Sequence, residues 1–374
     1  MMSASCLKSA RVMAVAGSSG GHIFPAVSLL DSLRESEPSA EVLLLLPRRS
    51  IKDRIGVLEY PVVAISIIPV KLGLDLRNLI AILRFLKGSF EELTALLKFR
   101  PNLVVGFGSI SSIPLVLFAR MAGIKTLIHE QNVIPGRANR FLAFFADKIA
   151  LSFADTGVYL KCPKEKLIVT GNPLRRQMAP LDKTEARGYF GLSRDKFTIL
   201  VSGGSQSSSN INEGFLKVSK RLRGRFSFQL IHLAGRNDCE HLREEYERSG
   251  IEARVFSFLD AMQYAYSASD AAVSRAGATT IAELIFFRLP AILVPYPHAY
   301  RHQSANAEVL SRRGCAVIVD DAEFGAGNTE RILEGMLENR EELSRMSSNY
   351  KDLEFTSSGS RMCEAVSDLL NSNG

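Results

Sequence analysis

The chain contains 374 residues, a length that favours two domains of roughly 150 to 200 residues over one large core. Hydrophobic residues make up 46% of the sequence and charged residues 23%, and no apolar run reaches the ~18 residues that a spanning helix needs. We therefore expect a globular protein that does not cross a membrane. The net charge of +7 suits an anionic partner and leaves nucleic acid, an acidic lipid surface and a phosphate-rich substrate open.

The amino-terminal segment and the cysteines argue against two further classes of protein, secreted proteins and proteins stabilised by disulfides or zinc. The apolar run at 12–16 is short for a secretory signal and leads directly into glycines, so we expect the chain to stay in the cytoplasm. The cysteines are scattered, odd in number and without the spacing of a disulfide framework or a zinc site: Cys6, Cys162, Cys239, Cys315 and Cys363. The sequence predicts no structural metal.

Short apolar runs rich in β-branched residues alternate with segments of helical periodicity. In the first half the predicted strands are 11–16, 42–46, 62–68, 103–105 and 126–128. The rhythm restarts after the proline-punctuated segment 162–180, with predicted strands at 198–201, 227–233, 271–273, 291–294 and 316–319. This pattern predicts two doubly wound parallel sheets joined near residues 172–180. Ligands of such sheets bind beyond the carboxyl ends of the strands, where we look for chemistry.

The first predicted strand ends in a glycine-rich turn, Gly17-Ser18-Ser19-Gly20-Gly21-His22, followed by a helical pattern. Glycines allow a ligand close to the backbone, and a helix amino terminus attracts anions, so an anion is expected here unless the turn is merely tight. The turn is neither GxGxxG nor a P-loop. His22 is the candidate base. The same residues also fit GxSxG, so a hydrolase with Ser19 as nucleophile stays open.

Two further turns in the second half have the same strand, glycine turn and helix pattern. Gly203-Gly204-Ser205-Gln206 precedes a serine-rich helix start, which either binds phosphate or is only a solvated cap. Ser274 to Glu283 follows another apolar strand, and Glu283 either accepts hydrogen bonds from a ribose diol or is a surface or dipole-stabilising carboxylate. Downstream, Gln303 and Asn306 offer amides for sugar hydroxyls. His298 and His302 lack a third ligand and are interpreted as loop residues.

Taken together, these segments resemble the MurG family of N-acetylglucosaminyltransferases, which have the GT-B fold. The resemblance spans nearly the whole chain, because five motifs occur in the family's order and spacing. They are the GxxGGHxFPA turn at 17–26, His129-Glu130-Gln131-Asn132 with Pro135-Gly136, Gly171-Asn172-Pro173-Leu174-Arg175, Gly203-Gly204-Ser205-Gln206, and residues 274–283 followed by Arg301-His302-Gln303.

The resemblance implies two Rossmann-like doubly wound parallel-sheet domains that face a central cleft. It implies an acceptor- and membrane-facing domain at 1–175 plus about 355–374, and a domain at 176–354 that binds UDP-N-acetylglucosamine. The implied reaction is an inverting transfer of N-acetylglucosamine from UDP-N-acetylglucosamine to the C4 hydroxyl of the muramyl sugar of undecaprenyl-pyrophosphoryl-muramylpentapeptide, in peptidoglycan synthesis. No cofactor or metal is implied, because preorganised N–H groups and Arg175 would stabilise the leaving diphosphate.

The resemblance also assigns roles to individual residues. His22 is implied as the catalytic base or polar stabiliser. The residues implied in donor binding are Ser19, Gly20, Gly21, Asn132, Arg175, Ser205, Gln206, Leu259, Ala278, Thr279, Thr280, Ile281, Ala282, Glu283 and Gln303. The chain departs from the family at Ser19, Ser207 and His302, where the family commonly has Thr, Gly and Gln. Ser19 keeps the hydroxyl, whereas Ser207 in place of a glycine affects the local turn geometry.

An apolar segment flanked by cations predicts contact with a lipid surface. Its apolar residues are Leu72, Leu74, Leu76, Leu79, Ile80, Ile82, Leu83, Phe85 and Leu86, interleaved with Lys71, Arg77, Arg84 and Lys87. Such a segment suits anionic headgroups, although a buried helix with a basic edge is the alternative. Because the resemblance implies a lipid-anchored acceptor, we expect a peripheral protein on the cytoplasmic face of the bacterial inner membrane, with no nucleic-acid partner.

Two other functions share parts of this pattern. A UDP-N-acetylglucosamine 2-epimerase has the same fold and donor, but it needs neither the basic apolar segment nor the motif at 129–132. A non-catalytic sensor of the sugar nucleotide would bind the donor and turn nothing over. Transfer to a lipid-linked acceptor separates both functions from the glycosyltransferase.

Overall fold

The computed structural model describes residues 10–48, 60–67, 76–204, 207–298, 301–353 and 359–371. The chain divides into two compact units, one formed by 1–176 with 356–374 and the other by 177–355. Each unit is an α/β structure around its own parallel sheet. The prediction of two doubly wound parallel sheets is confirmed.

The amino-terminal unit contains seven strands in the order β3-β2-β1-β4-β5-β6-β7. The strands are β1 (Arg11–Ala16), β2 (Glu41–Pro47), β3 (Val62–Ile65), β4 (Leu103–Phe107), β5 (Lys125–Glu130), β6 (Lys148–Leu151) and β7 (Leu167–Val169). The helices are α1 (Gly20–Ser36), α2 (Leu76–Phe99), α3 (Ser112–Met121) and α4 (Arg137–Leu142), and the carboxyl-terminal helix of the chain returns to this unit.

The central strands are buried on both faces, as expected for parallel sheets covered by helices. In β1, Val12 and Ala14 pack with α1 and the chain's last helix, whereas Met13 and Val15 pack on the opposite face near α3. The alternation follows from the two-residue period of a strand. The sheet therefore separates two apolar layers.

The carboxyl-terminal unit contains six parallel strands in the order β10-β9-β8-β11-β12-β13. The strands are β8 (Phe197–Ser202), β9 (Phe228–Leu233), β10 (Ala253–Phe256), β11 (Ala271–Ser274), β12 (Ala291–Leu293) and β13 (Ala316–Ile318). The helices are α5 (Lys183–Tyr189), α6 (Ser209–Leu222), α7 (Cys239–Arg248), α8 (Met262–Ala268), α9 (Ala278–Phe287), α10 (His302–Ser311), α11 (Gly327–Glu338) and α12 (Arg340–Ser348). A last helix, α13 (Ser360–Asn371), packs on α1 through Met362 and Val366 in the amino-terminal unit.

Three strands were not predicted from the sequence: β6, β7 and β10. Each has only three or four residues, and a basic residue stands in β6 (Lys148) and in β10 (Arg254) and directly precedes β7 (Lys166). β7 also lies inside the segment that the prolines had marked as a connection. Strands this short form because their neighbours in the sheet supply the hydrogen bonds, a tertiary effect that local propensity does not contain.

Helix α2 exposes much of the apolar segment that the sequence singled out. Its exposed large apolar side chains are Leu79, Ile80, Ile82, Leu83, Leu86, Phe90 and Leu97. Arg84 and Lys87 are exposed on the same helix. Residues 71–75 and the side chains of Leu76 and Arg77 lie outside what the structure describes. Within the described residues no helix is long and apolar enough to cross a membrane.

Candidate active site

The turn after β1 places His22 in the first turn of α1. Ser19 is the N-cap residue with an extended backbone (φ −88°, ψ 151°), and its carbonyl accepts the N–H groups of His22 and Ile23. The Ser19 hydroxyl does not cap the helix but lies 2.7 Å from His22 Nδ1. The Ser19 side chain therefore does not accept the backbone N–H groups of Gly20 and Gly21 at the start of the helix. This arrangement favours the binding of an anion.

Close packing around His22 explains the glycines of this region. A Cβ atom on Gly17 would lie 2.6 Å from Ser109 Cβ and 3.0 Å from His22 Nδ1, so this position accepts only glycine without movement. Gly108, at the end of β4, has φ +76°, and a Cβ atom there would lie 3.4 Å from His22 Nε2. The two glycines let the turns after β1 and β4 close on the imidazole ring.

Two neighbouring histidines are held in the neutral form. Desolvation by burial lowers the pKa of His22 to about 4. Burial likewise lowers the pKa of His129, at the end of β5, to about 4, and the nearby His22 acts in the same direction. His129 Nε2 lies 3.1 Å from the carbonyl of Gly171. At neutral pH His22 is therefore an uncharged imidazole with a proton acceptor.

A buried carboxylate organises the loop that carries Asn132. One oxygen of Glu130 accepts the backbone N–H of Asn132 at 2.9 Å and its side-chain Nδ2 at 3.2 Å. The other oxygen accepts the N–H of Gly136 at 3.0 Å and Asn139 Nδ2 at 2.8 Å. Four hydrogen bonds compensate the burial of this charge and fix the loop. The sequence interpretation assigned a role to Asn132 and missed Glu130. The position of Glu130 in the same motif, two residues before Asn132, was the signal that could have indicated its role.

Arg175 lies beside the α1 turn. Its guanidinium stands over the ring of Phe24 in the second turn of α1, with 5.0 Å between Cζ and the ring centroid. The segment is anchored to α1, because the Ser28 hydroxyl donates to the carbonyl of Leu174. The structure thus brings together, in one unit, Ser19, Gly20, Gly21, His22 and Arg175 at the start of α1.

The glycine turn after β8 is strained. Ser207 has φ +57°, in the left-handed region that glycine prefers, and its side chain occupies the space that a Cβ atom on Gly235 would need. A Cβ atom on Gly203 would lie 2.4 Å from Ser208 N. Ser208 is the N-cap of α6, and its hydroxyl accepts the N–H of Ile211. Ser205 and Gln206, both implied in donor binding, lie outside the described residues.

The turn after β11 leads into α9, whose N-cap is Gly277. Thr279 and Thr280 are partly exposed in the first turn, whereas Ala278, Ile281 and Ala282 have buried side chains. The N–H of Ile281 donates to the carbonyl of Gly277 at 2.9 Å. The side chains of Ile281 and Ala282 therefore lie on the buried face of α9.

Glu283 is buried, so the alternative of a surface carboxylate is wrong. One of its oxygens accepts the hydroxyl of Tyr266 at 2.7 Å, and the Tyr266 ring stacks on Phe287. The two oxygens of a carboxylate can accept hydrogen bonds from more than one hydroxyl group. Leu259 is also buried, in the loop between β10 and α8.

Gln303 joins two loops of the carboxyl-terminal unit. Its side-chain oxygen accepts the N–H of Ala276 at 3.2 Å and that of Tyr296 at 2.9 Å. Asn306, one turn later on α10, donates to the carbonyl of Ala276 at 3.2 Å. These amides thus shape the turn after β11, a positioning role that the sequence interpretation did not contain.

The GxSxG alternative does not fit the backbone at Ser19. A nucleophile elbow holds its serine in a strained turn, whereas Ser19 is in ordinary extended conformation. His298 lies in a turn, as expected, whereas the prediction of a loop residue is wrong for His302, which begins α10. Among the residues that the structure describes, no group of three or more His, Cys, Asp or Glu side chains is arranged to hold a metal ion.

Family models match both halves of the chain. The glycosyltransferase family 28 N-terminal domain matches residues 12–151, and the glycosyltransferase family 28 C-terminal domain matches residues 198–362. The solved structure of Acinetobacter baumannii MurG superposes with a TM-score of 0.75 at 27% identity, covering 97% of this chain and 100% of that one. A UDP-N-acetylglucosamine 2-epimerase structure has a TM-score of 0.64 at 14% identity over 97% of this chain and 96% of its own, a likeness of fold alone.

Curated relatives extend over nearly the whole chain. A Halothermothrix orenii protein is 33% identical over 344 residues, 90% of this chain and 92% of the relative. A Bacillus subtilis (strain 168) protein is 30% identical and covers 96% of this chain and 99% of its own length. Both are named UDP-N-acetylglucosamine--N-acetylmuramyl-(pentapeptide) pyrophosphoryl-undecaprenol N-acetylglucosamine transferase. The chain therefore belongs to glycosyltransferase family 28 and, within that family, to the MurG transferases.

Proposed function

We propose that this protein transfers N-acetylglucosamine from UDP-N-acetylglucosamine to the C4 hydroxyl of N-acetylmuramyl-pentapeptide pyrophosphoryl-undecaprenol. The observation that carries the proposal is the Ser19–His22 pair at the start of α1, in a chain whose two halves both match family 28. The family match supports the identity of the donor and of the acceptor. The geometry of the site supports the assignment of individual residues to steps of the reaction.

His22 is proposed as the general base. When His22 Nδ1–H donates to the Ser19 hydroxyl, the lone pair is on Nε2, the nitrogen beside Gly108. Nε2 takes the proton of the acceptor C4 hydroxyl as the C4 oxygen attacks the anomeric carbon of the donor. The bond from that carbon to the β-phosphate oxygen breaks, and its electron pair leaves with UDP. A single displacement of this kind inverts the anomeric centre.

The leaving diphosphate develops negative charge, which N–H groups and cations stabilise. In the amino-terminal unit the amides of Gly20 and Gly21 and the guanidinium of Arg175 suit this role. In the carboxyl-terminal unit we assign the ribose to Glu283, because its carboxylate is oriented by Tyr266. Asn132 and Gln303 are proposed to contact the donor sugar, and UDP-N-acetylglucosamine is a substrate with no cofactor required.

We further propose that α2 binds the anionic inner leaflet, so that the protein is peripheral on the cytoplasmic face of the inner membrane. The exposed apolar side chains of Leu79, Leu83 and Leu86 with the neighbouring Arg84 support this role. Leu83→Glu combined with Leu86→Glu should abolish sedimentation with phosphatidylglycerol vesicles. Phe258→Glu, which changes an exposed apolar side chain in the other unit, should leave sedimentation intact. Equal binding of all three proteins would contradict the assignment to α2.

The reaction is tested by incubating labelled UDP-N-acetylglucosamine with a short-chain lipid-linked muramylpentapeptide. Label on the lipid with stoichiometric release of UDP is the expected result. Consumption of the donor without an acceptor and without lipid product would indicate an epimerase. Donor binding with neither reaction would indicate a sensor. Either of these last two outcomes would overturn the proposed transfer.

A further inference from the structure

Arg275 is a buried cation in the turn after β11, and no step of the proposed reaction uses it. Its side chain is 8% exposed. One terminal nitrogen forms an ion pair with the Asp321 carboxylate and donates to the carbonyl of Val294 at 3.1 Å. The other terminal nitrogen donates to the Ser208 hydroxyl at 2.6 Å. The guanidinium also lies against the Tyr296 ring, 5.3 Å from its centroid.

These contacts connect the loops at the carboxyl ends of four adjacent strands. Ser208 follows β8 and caps α6, Val294 follows β12, and Asp321 follows β13, while Arg275 itself follows β11. The order β8-β11-β12-β13 places these loops side by side along one edge of the sheet. One side chain therefore fixes the position of Ser208, at the start of α6, relative to the amino terminus of α9.

A second contact supports the same connection. Asn210, in the first turn of α6, donates its side-chain N–H to the backbone carbonyl of Asp321 at 2.6 Å. Gly204, the glycine of the β8 turn with φ +79°, lies next to Arg275, because a Cβ atom built there would be 3.8 Å from Arg275 Cβ. The strained backbone at Ser207 is thus bordered by the contacts of Arg275 on one side and Gly235 on the other.

The charge of Arg275 is directed at the protein and not at a ligand. Asp321 neutralises it, carbonyl and hydroxyl oxygens occupy its terminal nitrogens, and little of the side chain reaches the surface. A buried ion pair contributes little net stability compared with apolar side chains of similar volume, but it imposes a specific arrangement on the groups it joins. When an ion pair fixes backbone turns in this way, their N–H groups are preorganised to bind an anion.

We propose that Arg275 is a positioning residue for the donor nucleotide: it holds the amino termini of α6 and α9 in the geometry that binds a uridine nucleotide. This inference rests on the proposed function. It predicts that the loss of Arg275 weakens nucleotide binding although the side chain does not touch the nucleotide.

The matched control is Arg187 of α5, a second buried arginine of the carboxyl-terminal unit. It forms an ion pair with Asp270 at 2.7 Å and donates to the carbonyl of Ala268 at 3.0 Å, at the amino end of β11. Arg187→Lys and Arg275→Lys remove the same guanidinium geometry from opposite ends of one strand. Both variants should lose thermal stability, so stability alone does not distinguish them.

The readout is the affinity for UDP, measured by isothermal titration calorimetry on the full chain. Arg275→Lys should weaken UDP binding at least ~10-fold, a cost of about 1.4 kcal/mol, whereas Arg187→Lys should change it less than ~2-fold. In the transfer assay KM for the donor should rise and KM for the acceptor should not. Equal UDP affinity of Arg275→Lys and the unchanged protein would overturn the inference.

A double variant separates positioning from folding. Arg275→Met with Asp321→Leu removes both charges, so the thermal stability lost in Arg275→Met alone should be largely regained. UDP affinity should stay low, because the new apolar contact does not hold Ser208. Recovery of affinity together with stability would show a purely structural role. If the unchanged protein binds no UDP, the proposed function fails first and this inference fails with it.

Discussion

The turn at His22 and the turns around Arg275 occupy equivalent places, at the carboxyl ends of central strands, but they are built differently. The His22 turn has one neutral imidazole packed by Gly17 and Gly108. The Arg275 turns are connected by a buried ion pair and side-chain amides. The difference matches the proposed roles: a base needs an uncharged, desolvated imidazole, whereas an anion site needs backbone N–H groups that stay in place.

Removing the imidazole tests the first half of this comparison and has the largest expected effect. His22→Ala should lower kcat for transfer at least ~100-fold, because general-base catalysis contributes about 10²–10⁴-fold. UDP affinity should be unchanged, in contrast to Arg275→Lys. The comparison is made by steady-state transfer kinetics with calorimetry, and His241→Ala on the surface of α7 is the control. A loss of UDP binding equal to the loss of kcat would contradict a role as base.

The pH dependence of stability tests whether buried histidines are neutral. Burial lowers the folded pKa of His129 to about 4 and that of His232 to about 3, below the usual 6.5. The unfolded chain then binds more protons than the folded chain below pH 6.5, so stability is complete above that pH and falls towards pH 4. The expected loss is about 1 to 2 kcal/mol per histidine between pH 7 and 5.

This loss is measured as the shift of the urea midpoint with pH. His232 contacts Tyr246 and Asn212 through its two ring nitrogens, and His232→Gln should flatten the dependence. His241→Gln, which changes a histidine on the surface, should leave the slope as it is. A slope that is the same in all three proteins would mean that burial of His232 does not control its protonation.

Substitutions of Ser19 test whether the hydrogen bond to His22 contributes to catalysis. Ser19→Ala removes the partner of His22 Nδ1, so the ring loses its preferred tautomer and orientation. We expect kcat to fall about 10-fold, less than in His22→Ala, because the base itself remains. Ser19→Thr keeps the hydroxyl and should retain most activity. If Ser19→Thr is as impaired as Ser19→Ala, the hydrogen bond is not the reason for the loss.

The smallest expected effect concerns Ser207 in the other turn. Its φ of +57° costs a non-glycine residue about 1 to 2 kcal/mol of folding free energy. A glycine avoids this cost, but its greater conformational freedom in the unfolded chain offsets part of the gain. Ser207→Gly should therefore raise the free energy of unfolding by about 0.5 to 1 kcal/mol. Urea denaturation measures the gain. Gly235→Ala, which would place a methyl group against Ser207, should destabilise instead. A destabilised Ser207→Gly variant would contradict the strain.

Much of the candidate site was predictable because glycine turns after apolar strands have a fixed meaning in parallel α/β sheets. The sequence therefore placed His22 at a helix start, and the resemblance to the MurG family implied that glycine is preferred at the position of Ser207. It did not reveal Glu130 as the centre of four hydrogen bonds, nor Gln303 as a link between two loops. Those roles depend on atoms that approach only after the strands have assembled.

By itself, the sequence determined the fold class, ten of the thirteen described strands, the start of α1 and the family, because local periodicity or ordered motifs indicate each of them. Tertiary structure alone decided the strands β6, β7 and β10 and the contact of α13 with α1. It also decided the neutral state of His22 and the partners of Arg275. The physical reason is that burial, desolvation and side-chain pairing depend on distances between residues far apart in the chain.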